Sequence, residues 1–290
     1  MVARWQDRLL LGKYVDLCRL TSLNPEMETP AYGPVKLLSF TGPGGRSLLS
    51  SLFLPAGYEQ GKQYPVIVHL YYGAFQSGSP LNTFNDINAR LTAAGYAVLW
   101  PDMPVSGPNP AETITALAIN ALDAAIEAGY VHPQHAGIIG HSQGGYDVCC
   151  TITRTNRFQT AVAVAPFTNL ISFALHVKGG ELIWAPWVEG GILNLRTTVW
   201  EDRQRYIDNS PVFHLDKVTT PLLLLHGTAD STISQSEEMY AGLLRLGKKA
   251  TLVRYWEEGH VPREWSAENY QDYWRRIIGW FDQHIGLKSS

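Results

Sequence analysis

Ser142 lies in Gly140-His141-Ser142-Gln143-Gly144-Gly145, a hydroxyl set among glycines. The apolar run Ala136-Gly137-Ile138-Ile139 precedes it and a helix-compatible stretch follows. A sharp turn between strand and helix pushes a serine towards strained dihedrals and lifts its hydroxyl out of the sheet. Gly140 and Gly144 leave room for that turn, and Gly145 lets the helix pack close to the strand. The Gln143 backbone amide then faces the same way as the hydroxyl, as a donor to a developing oxyanion. The plainer reading is a glycine-rich turn with serine as a helix cap. A hydroxyl is a weak nucleophile and needs a base, which in turn needs an orienting carboxylate. Asp230 follows the apolar run Pro221–Leu225, in His226-Gly227-Thr228-Ala229-Asp230, and His260 ends Glu257-Glu258-Gly259-His260. His226 reads as a buried hydrogen-bonding residue, and His141 as turned away from the hydroxyl. Asp216 and Glu258 are alternative acids that read better as solvated or locally paired. His132 and His135 flank Pro133 without a carboxylate motif to support a metal.

The elements around these residues alternate. Strands are expected at Val35–Phe40 and Leu49–Leu54, a hairpin around Gly42-Pro43-Gly44-Gly45. Six more are expected at Pro65–Tyr71, Tyr96–Trp100, Ala136–Ile139, Thr160–Ala165, Pro221–Leu225 and Thr251–Tyr255. Their unalternated apolar runs suit strands covered on both faces. Helices are expected at Phe84–Ala94, Ala111–Gly129, Gly144–Thr153, Gln235–Leu246 and Glu264–His284. The pattern predicts an α/β fold with a mostly parallel, doubly wound central sheet of about eight strands. Residues 171–210 break the rhythm with Trp184, Trp187 and Trp200, and read as a short lid-like insertion over a sheet end. Ser142, Asp230 and His260 each fall at a strand end, in the chain order of the α/β-hydrolase fold.

Composition narrows the function classes. The 290 residues carry 23 basic and 26 acidic side chains, a net charge of -3, with no basic block to neutralise nucleic-acid phosphates. The three cysteines Cys18, Cys149 and Cys150 form no Cys-x-x-Cys, so neither a thiolate zinc site nor a redox pair is suggested. No apolar run reaches membrane-spanning length and no signal-peptide core opens the chain, which points to a cytoplasmic setting without membrane contact. Gly42–Gly45 lacks the Lys-Ser/Thr of a phosphate loop, and no dinucleotide fingerprint is present, so no cofactor is expected.

The sequence resembles the catalytic domain of the prolyl oligopeptidase family of serine peptidases, which includes dipeptidyl and acylaminoacyl peptidases. Leu20-Thr21-Ser22-Leu23-Asn24-Pro25 resembles the segment joining a β-propeller to the hydrolase domain, and Ser51–Val68 the entry into the central sheet. Gly140–Gly145, Ser210-Pro211 with Thr220–Asp230, and Gly259-His260 resemble the nucleophile, acid and base blocks. The resemblance implies an N-terminal extension over 1–34 and a catalytic domain over 35–290. It implies a tyrosine hydroxyl in the oxyanion hole, Tyr71 by position or Tyr72 if the strand ends one residue later. It also implies that Phe167, Leu170, Phe173 and Val177 wall the pocket for the residue before the scissile bond. Their apolar character predicts an apolar or proline-like group there, since no charge awaits a charged one. The chain departs from the family at Gln143, where a tyrosine is common, and at Val261-Pro262-Arg263-Glu264, where glycine and an aromatic are common. No propeller fits before residue 20, so a second copy of the chain or a missing propeller is the expected partner. The expected activity is acyl transfer to water on small peptides. The alternative is a carboxylesterase, thioesterase or acyltransferase, since one such site serves all of these. A non-catalytic module that uses the tryptophan-rich region as a contact patch is the third reading.

Overall fold

In the computed structural model, which describes residues 33–74 and 86–286, eight strands make one sheet. They are β1 (Val35–Thr41), β2 (Ser47–Phe53), β3 (Tyr64–His69), β4 (Ala97–Pro101), β5 (Val131–His141), β6 (Thr160–Val164), β7 (Leu222–Gly227) and β8 (Ala250–Tyr255). Their order across the sheet is β1-β2-β4-β3-β5-β6-β7-β8. β1 and β2 form the expected antiparallel hairpin, and β2 runs antiparallel to β4. All pairs from β4 to β8 are parallel. The expected α/β fold is therefore present, with a mixed edge on a parallel sheet. The N-terminal segment that resembles a linker, and Cys18, lie outside the described residues.

Parallel strands need crossovers, and the helices supply them. They are α1 (Asp86–Ala93), α2 (Pro110–Glu127), α3 (Gln143–Ile152), α4 (Leu170–Ala174), α5 (Ala185–Glu189), α6 (Arg203–Asp208), α7 (Ile233–Arg245) and α8 (Ala267–His284). Strand side chains alternate between the faces, so each central strand feeds two cores. Val66, Val68, Ala161, Ala163, Leu222 and Leu224 join α2, α3 and α7 on one face. Ile67, Val162, Val164, Leu223 and Leu225 join α1 and α8 on the other. Tyr273, Trp274, Ile277 and Phe281 form the buried stripe of α8. A Cβ on Gly137 would come within 2.8 Å of the Phe281 ring, so a glycine in β5 sets how closely α8 approaches the sheet. One expectation needs correction. β8 is the sheet edge and is covered only in part: Ala250 and Leu252 pack partly against one core, Val253 partly against the other, and only Tyr255 is buried. Among the described residues no helix is long and apolar enough to cross a membrane.

The strand order reverses direction beside β3. From β3 the chain moves outward to β4, then returns to β5 on the other side of β3. Open α/β sheets leave a crevice at such a switch point, outside the carboxyl ends of the strands. Here the two flanking carboxyl ends carry Tyr71 and Ser142.

Candidate active site

Ser142 sits between β5 and α3 at φ 58°, ψ -115°, a left-handed conformation that costs a non-glycine residue of order 1–3 kcal/mol. Surrounding contacts hold it there. The Ser142 N–H donates to the Val164 carbonyl at 2.8 Å, and the Ser142 carbonyl accepts from Tyr146 N at 3.1 Å. The glycines are required by close approach. A Cβ on Gly140 would fall 2.1 Å from the Gly144 carbonyl oxygen, and one on Gly144 would fall 2.1 Å from the Leu70 carbonyl oxygen.

The hydroxyl is 2.8 Å from His260 Nε2, and His260 Nδ1 donates to Asp230 Oδ2 at 2.5 Å. That tautomer leaves the Nε2 lone pair to accept the serine proton. Asp230 also accepts from His226 Nε2 at 2.9 Å on Oδ2, and from Thr232 N and Oγ1 at 3.0 and 2.9 Å on Oδ1. Burial by itself pushes the Asp230 carboxyl up. The hydrogen bonds from His226, His260 and Thr232 more than reverse this, so Asp230 stays ionised, well below the usual carboxylate range. His226 is fully buried, with Ser236 Oγ 2.7 Å from its Nδ1, so it serves as the expected buried hydrogen-bonding residue.

β8 is three strands away from β5, so the His260 loop must reach back across the sheet end. His141 helps to hold it. Burial pushes its imidazole down to about 4, and the neutral ring donates Nε2–H to the His260 carbonyl at 2.8 Å. Trp265 Nε1 donates to the Gly259 carbonyl at 2.9 Å, and Ala229 N donates to the Glu258 carbonyl at 2.9 Å. Gly227 permits this approach, since a Cβ there would meet the Glu258 carbonyl oxygen at 2.2 Å. The Glu258 side chain is engaged with Ser266 and Asn269 instead of the imidazole.

β3 ends at His69, and Leu70 N still donates to the Ile139 carbonyl at 2.9 Å, which carries Tyr71 to the side of the Ser142 turn. Tyr71 is 37% exposed and lines the cavity over Ser142. Burial foremost pushes its phenol up, so it remains a proton donor. Tyr72 is fully buried and spends its hydroxyl on Ser106 N, at 2.7 Å. Asp147, on α3, was not singled out from the sequence. It is fully buried and accepts from Tyr72 N at 2.5 Å and from Gln143 Nε2 at 2.7 Å. It therefore ties the Tyr71–Tyr72 turn to the helix behind Ser142. Burial pushes the Asp147 carboxyl well above its usual range, which those two bonds only partly oppose. Gln143 is the first residue of α3, so its N–H has no carbonyl within the helix to bond.

A cavity of about 310 Å³ opens over Ser142 and His260. Phe167, Phe173, Trp184, Trp187 and Ile192 wall it, with Ala165 at φ 44° beneath. The rings pack in register. Phe167 stacks on Phe173 at 4.3 Å, Phe173 on Trp184 at 4.9 Å, and Trp187 stands edge-on to Phe167 at 5.2 Å. Of the four residues expected as walls, Phe167 and Phe173 line the cavity. Leu170, the first residue of α4, is turned into the core, and Val177 is 58% exposed outside the lining. Trp184 and Trp187 belong to the expected lid, whereas Trp200 is 75% exposed away from the cavity. Lys178 also lines the cavity, so the expectation that no charge faces it does not hold. Lys178 stands at a tight turn closed by its paired hydrogen bonds with Glu181, which apolar patterning does not reveal. His132 and His135 lie with rings 4.5 Å apart, and their bonds go to Gln134 N and to the Ile285 carbonyl. No cluster of three or more metal-ligating side chains occurs among the described residues.

The model of the Prolyl oligopeptidase family matches residues 117–288. An uncharacterized peptidase, YuxL, of Bacillus subtilis is 29% identical over 255 residues, covering 81% of this chain and 36% of the relative. Dipeptidyl-peptidase 5 of Porphyromonas gingivalis is 28% identical over 267 residues, covering 83% of this chain and 36% of the relative. The chain thus spans about a third of the length of these curated relatives. Among solved structures, a Mycobacterium tuberculosis puromycin-hydrolyzing peptidase superposes with a TM-score of 0.71 at 22% identity, over 88% of this chain and 40% of that one. An acylaminoacyl peptidase of Pyrococcus horikoshii superposes with a TM-score of 0.73 at 16% identity, over 94% and 45%. At these identities the two structures speak for the fold alone.

Proposed function

The chain belongs to the prolyl oligopeptidase family, and on that premise we propose that it is a serine hydrolase that cleaves peptide amide bonds through an acyl-enzyme. Ser142 is the nucleophile, His260 the general base and then acid, and Asp230 the orienting carboxylate. The single observation that carries this reading is the unbroken hydrogen-bond chain from Ser142 Oγ through His260 to Asp230, opening onto an apolar cavity.

His260 Nε2 takes the hydroxyl proton as Oγ attacks the substrate carbonyl carbon. The ionised Asp230 holds the tautomer and stabilises the imidazolium that forms. The donors assigned to the oxyanion are the Gln143 backbone N–H, which has no acceptor within α3, and the Tyr71 hydroxyl, whose residue lines the cavity over Ser142. His260 then gives its proton to the leaving amine, the C–N bond breaks, and the acyl group stays on Ser142. Water, deprotonated by His260, attacks the ester and releases the acid. The acyl residue sits against Phe167, Phe173, Trp184 and Trp187, which favours an apolar or proline-like side chain before the scissile bond.

The test is a fluorophosphonate probe on the purified protein, with Ser142→Ala as the control, followed by an amide and an ester of one apolar acyl group. A covalent adduct on Ser142 with turnover of both substrates is the expected result. Labelling of the Ser142→Ala variant at the wild-type rate would overturn the mechanism. Ester turnover without measurable amide turnover would replace the peptidase by the esterase reading.

A further inference from the structure

We propose that Lys178 makes the pocket selective for acyl groups that pair an apolar body with one negative charge at the pocket rim, as in a peptide with an acidic residue preceding an apolar one. The inference rests on the reading of Ser142 as nucleophile and adds a substrate class to it.

Lys178 lines the same cavity as Ser142 and His260, yet is itself exposed, which puts it where the cavity meets solvent. Its backbone position is set by a tight hairpin. Lys178 N donates to the Glu181 carbonyl at 3.0 Å, and Glu181 N to the Lys178 carbonyl at 3.2 Å. The two residues between them, Gly179 and Gly180, have φ 63° and 87°. Positive φ at both central positions is the requirement of a type I′ turn, which only glycine, asparagine and aspartate meet readily. Three residues after the hairpin comes Trp184, so the cation and the aromatic wall are parts of one short unit.

The charge at this rim is available. Among the described residues the Lys178 ammonium has no hydrogen-bond or ion-pair partner, and Glu181, opposite it across the hairpin, makes no ion pair with it. The other full charge in the lining, Asp230, is already bound by His226, His260 and Thr232. A carboxylate pushed into the ring of Phe167, Phe173, Trp184 and Trp187 would lose its water without gaining a partner. At the rim it would keep part of its water and meet the ammonium beside apolar walls of lower dielectric than water, where the attraction exceeds that in bulk water. The body of the acyl group is therefore apolar and its charge is carried one residue further out.

Two substrates that differ only in that charge decide the matter: acetyl-Glu-Phe-anilide and acetyl-Gln-Phe-anilide, with the same leaving group. Wild type is expected to show a kcat/KM about two- to fivefold higher for the Glu substrate, with the ratio shrinking as salt is added. Lys178→Met, which keeps the aliphatic stem, is expected to bring the ratio to about one, and Lys178→Glu to invert it. Both variants should melt with wild type, because the side chain is exposed. Ser142-dependent turnover of both substrates at equal efficiency, or a Glu preference that survives in Lys178→Met, overturns the proposal and leaves the hydrolase reading standing. Absence of both turnover and labelling in wild type overturns the hydrolase reading and the subsite together.

Discussion

Replacing Gly144 by alanine would place a Cβ 2.1 Å from the Leu70 carbonyl oxygen. Ordinary contact begins at 3.4 Å, so the turn and the end of β3 must part by 3.4 - 2.1, or 1.3 Å. Neither side of the contact is a flexible side-chain tip. Leu70 is tied to β5 through the Ile139 carbonyl, and the turn is tied to β6 through Val164. The separation therefore falls on the relation between Tyr71, next after Leu70, and Ser142, two residues before Gly144. A misplacement of about 1 Å at reacting groups is worth about 10²-fold in rate, and overpacking of this kind costs about 1–3 kcal/mol in stability. For Gly144→Ala we expect the second-order rate of fluorophosphonate labelling to fall about 100-fold, with Tm lowered by about 2–5 °C. Gly279→Ala is the control: it lies on the exposed side of α8 with nothing within 4 Å of a new Cβ, and alanine should raise stability by about 1 kcal/mol without touching the labelling rate. Gly144→Ala labelling within twofold of wild type at an unchanged Tm would refute the reasoning.

Three further outcomes are expected. Asp147→Leu should lower both Tm and activity, because it strands the buried donors Tyr72 N and Gln143 Nε2 at about 1–3 kcal/mol each. Asp147→Asn should be milder, since its amide oxygen still accepts from Tyr72 N and its Nδ2 can donate to Gln143 Oε1 once the Gln143 amide flips, which leaves only Gln143 Nε2 without an acceptor. Equal damage from the two variants, read by thermal melts and labelling, would contradict this account. His69 is buried against Trp100 and its Nδ1 donates to Asn88. Burial pushes it from 6.5 down to about 4, so the folded protein keeps it neutral while the unfolded chain protonates it. Its stabilising share is complete above pH 6.5 and is lost as pH falls towards 4, about 3 kcal/mol in all. Urea unfolding at pH 7 and pH 5 should therefore show a smaller acid loss in His69→Gln than in wild type, and parallel losses would sink the assignment. Trp187→Ala should reduce kcat/KM about tenfold or more for a bulky apolar acyl ester while sparing an acetyl ester. A uniform loss on both would make Trp187 a structural residue only.

Much of the architecture was legible locally. β3, β6 and β7 are covered on both faces, so nearly every residue in them is apolar, and the run itself marks the strand. The sharp turn at Ser142 was legible because its constraint is local: the glycines that make room for it lie within three residues. Where environment rather than pattern decided, the sequence was mute. β8 carries a strand-like composition but sits at an edge, and Leu170 and Val177 have the apolar character of wall residues but point into the core and to solvent.

By itself, then, the sequence determined the alternating elements, the order Ser142, Asp230, His260, and the sharp turn at Ser142, because each follows from residue types and short-range sterics. Tertiary structure alone decided which groups meet. Asp147 became the tie between its helix and the turn at Tyr72, 75 residues away, and His226 a donor to Asp230 beside His260. His141 became the prop of the His260 loop, 119 residues away. Lys178 was carried to the rim of an aromatic cavity. Hydrogen bonds, desolvation and charge pairing act through space across a few ångströms, and sheet order, not sequence distance, sets which side chains come within that reach.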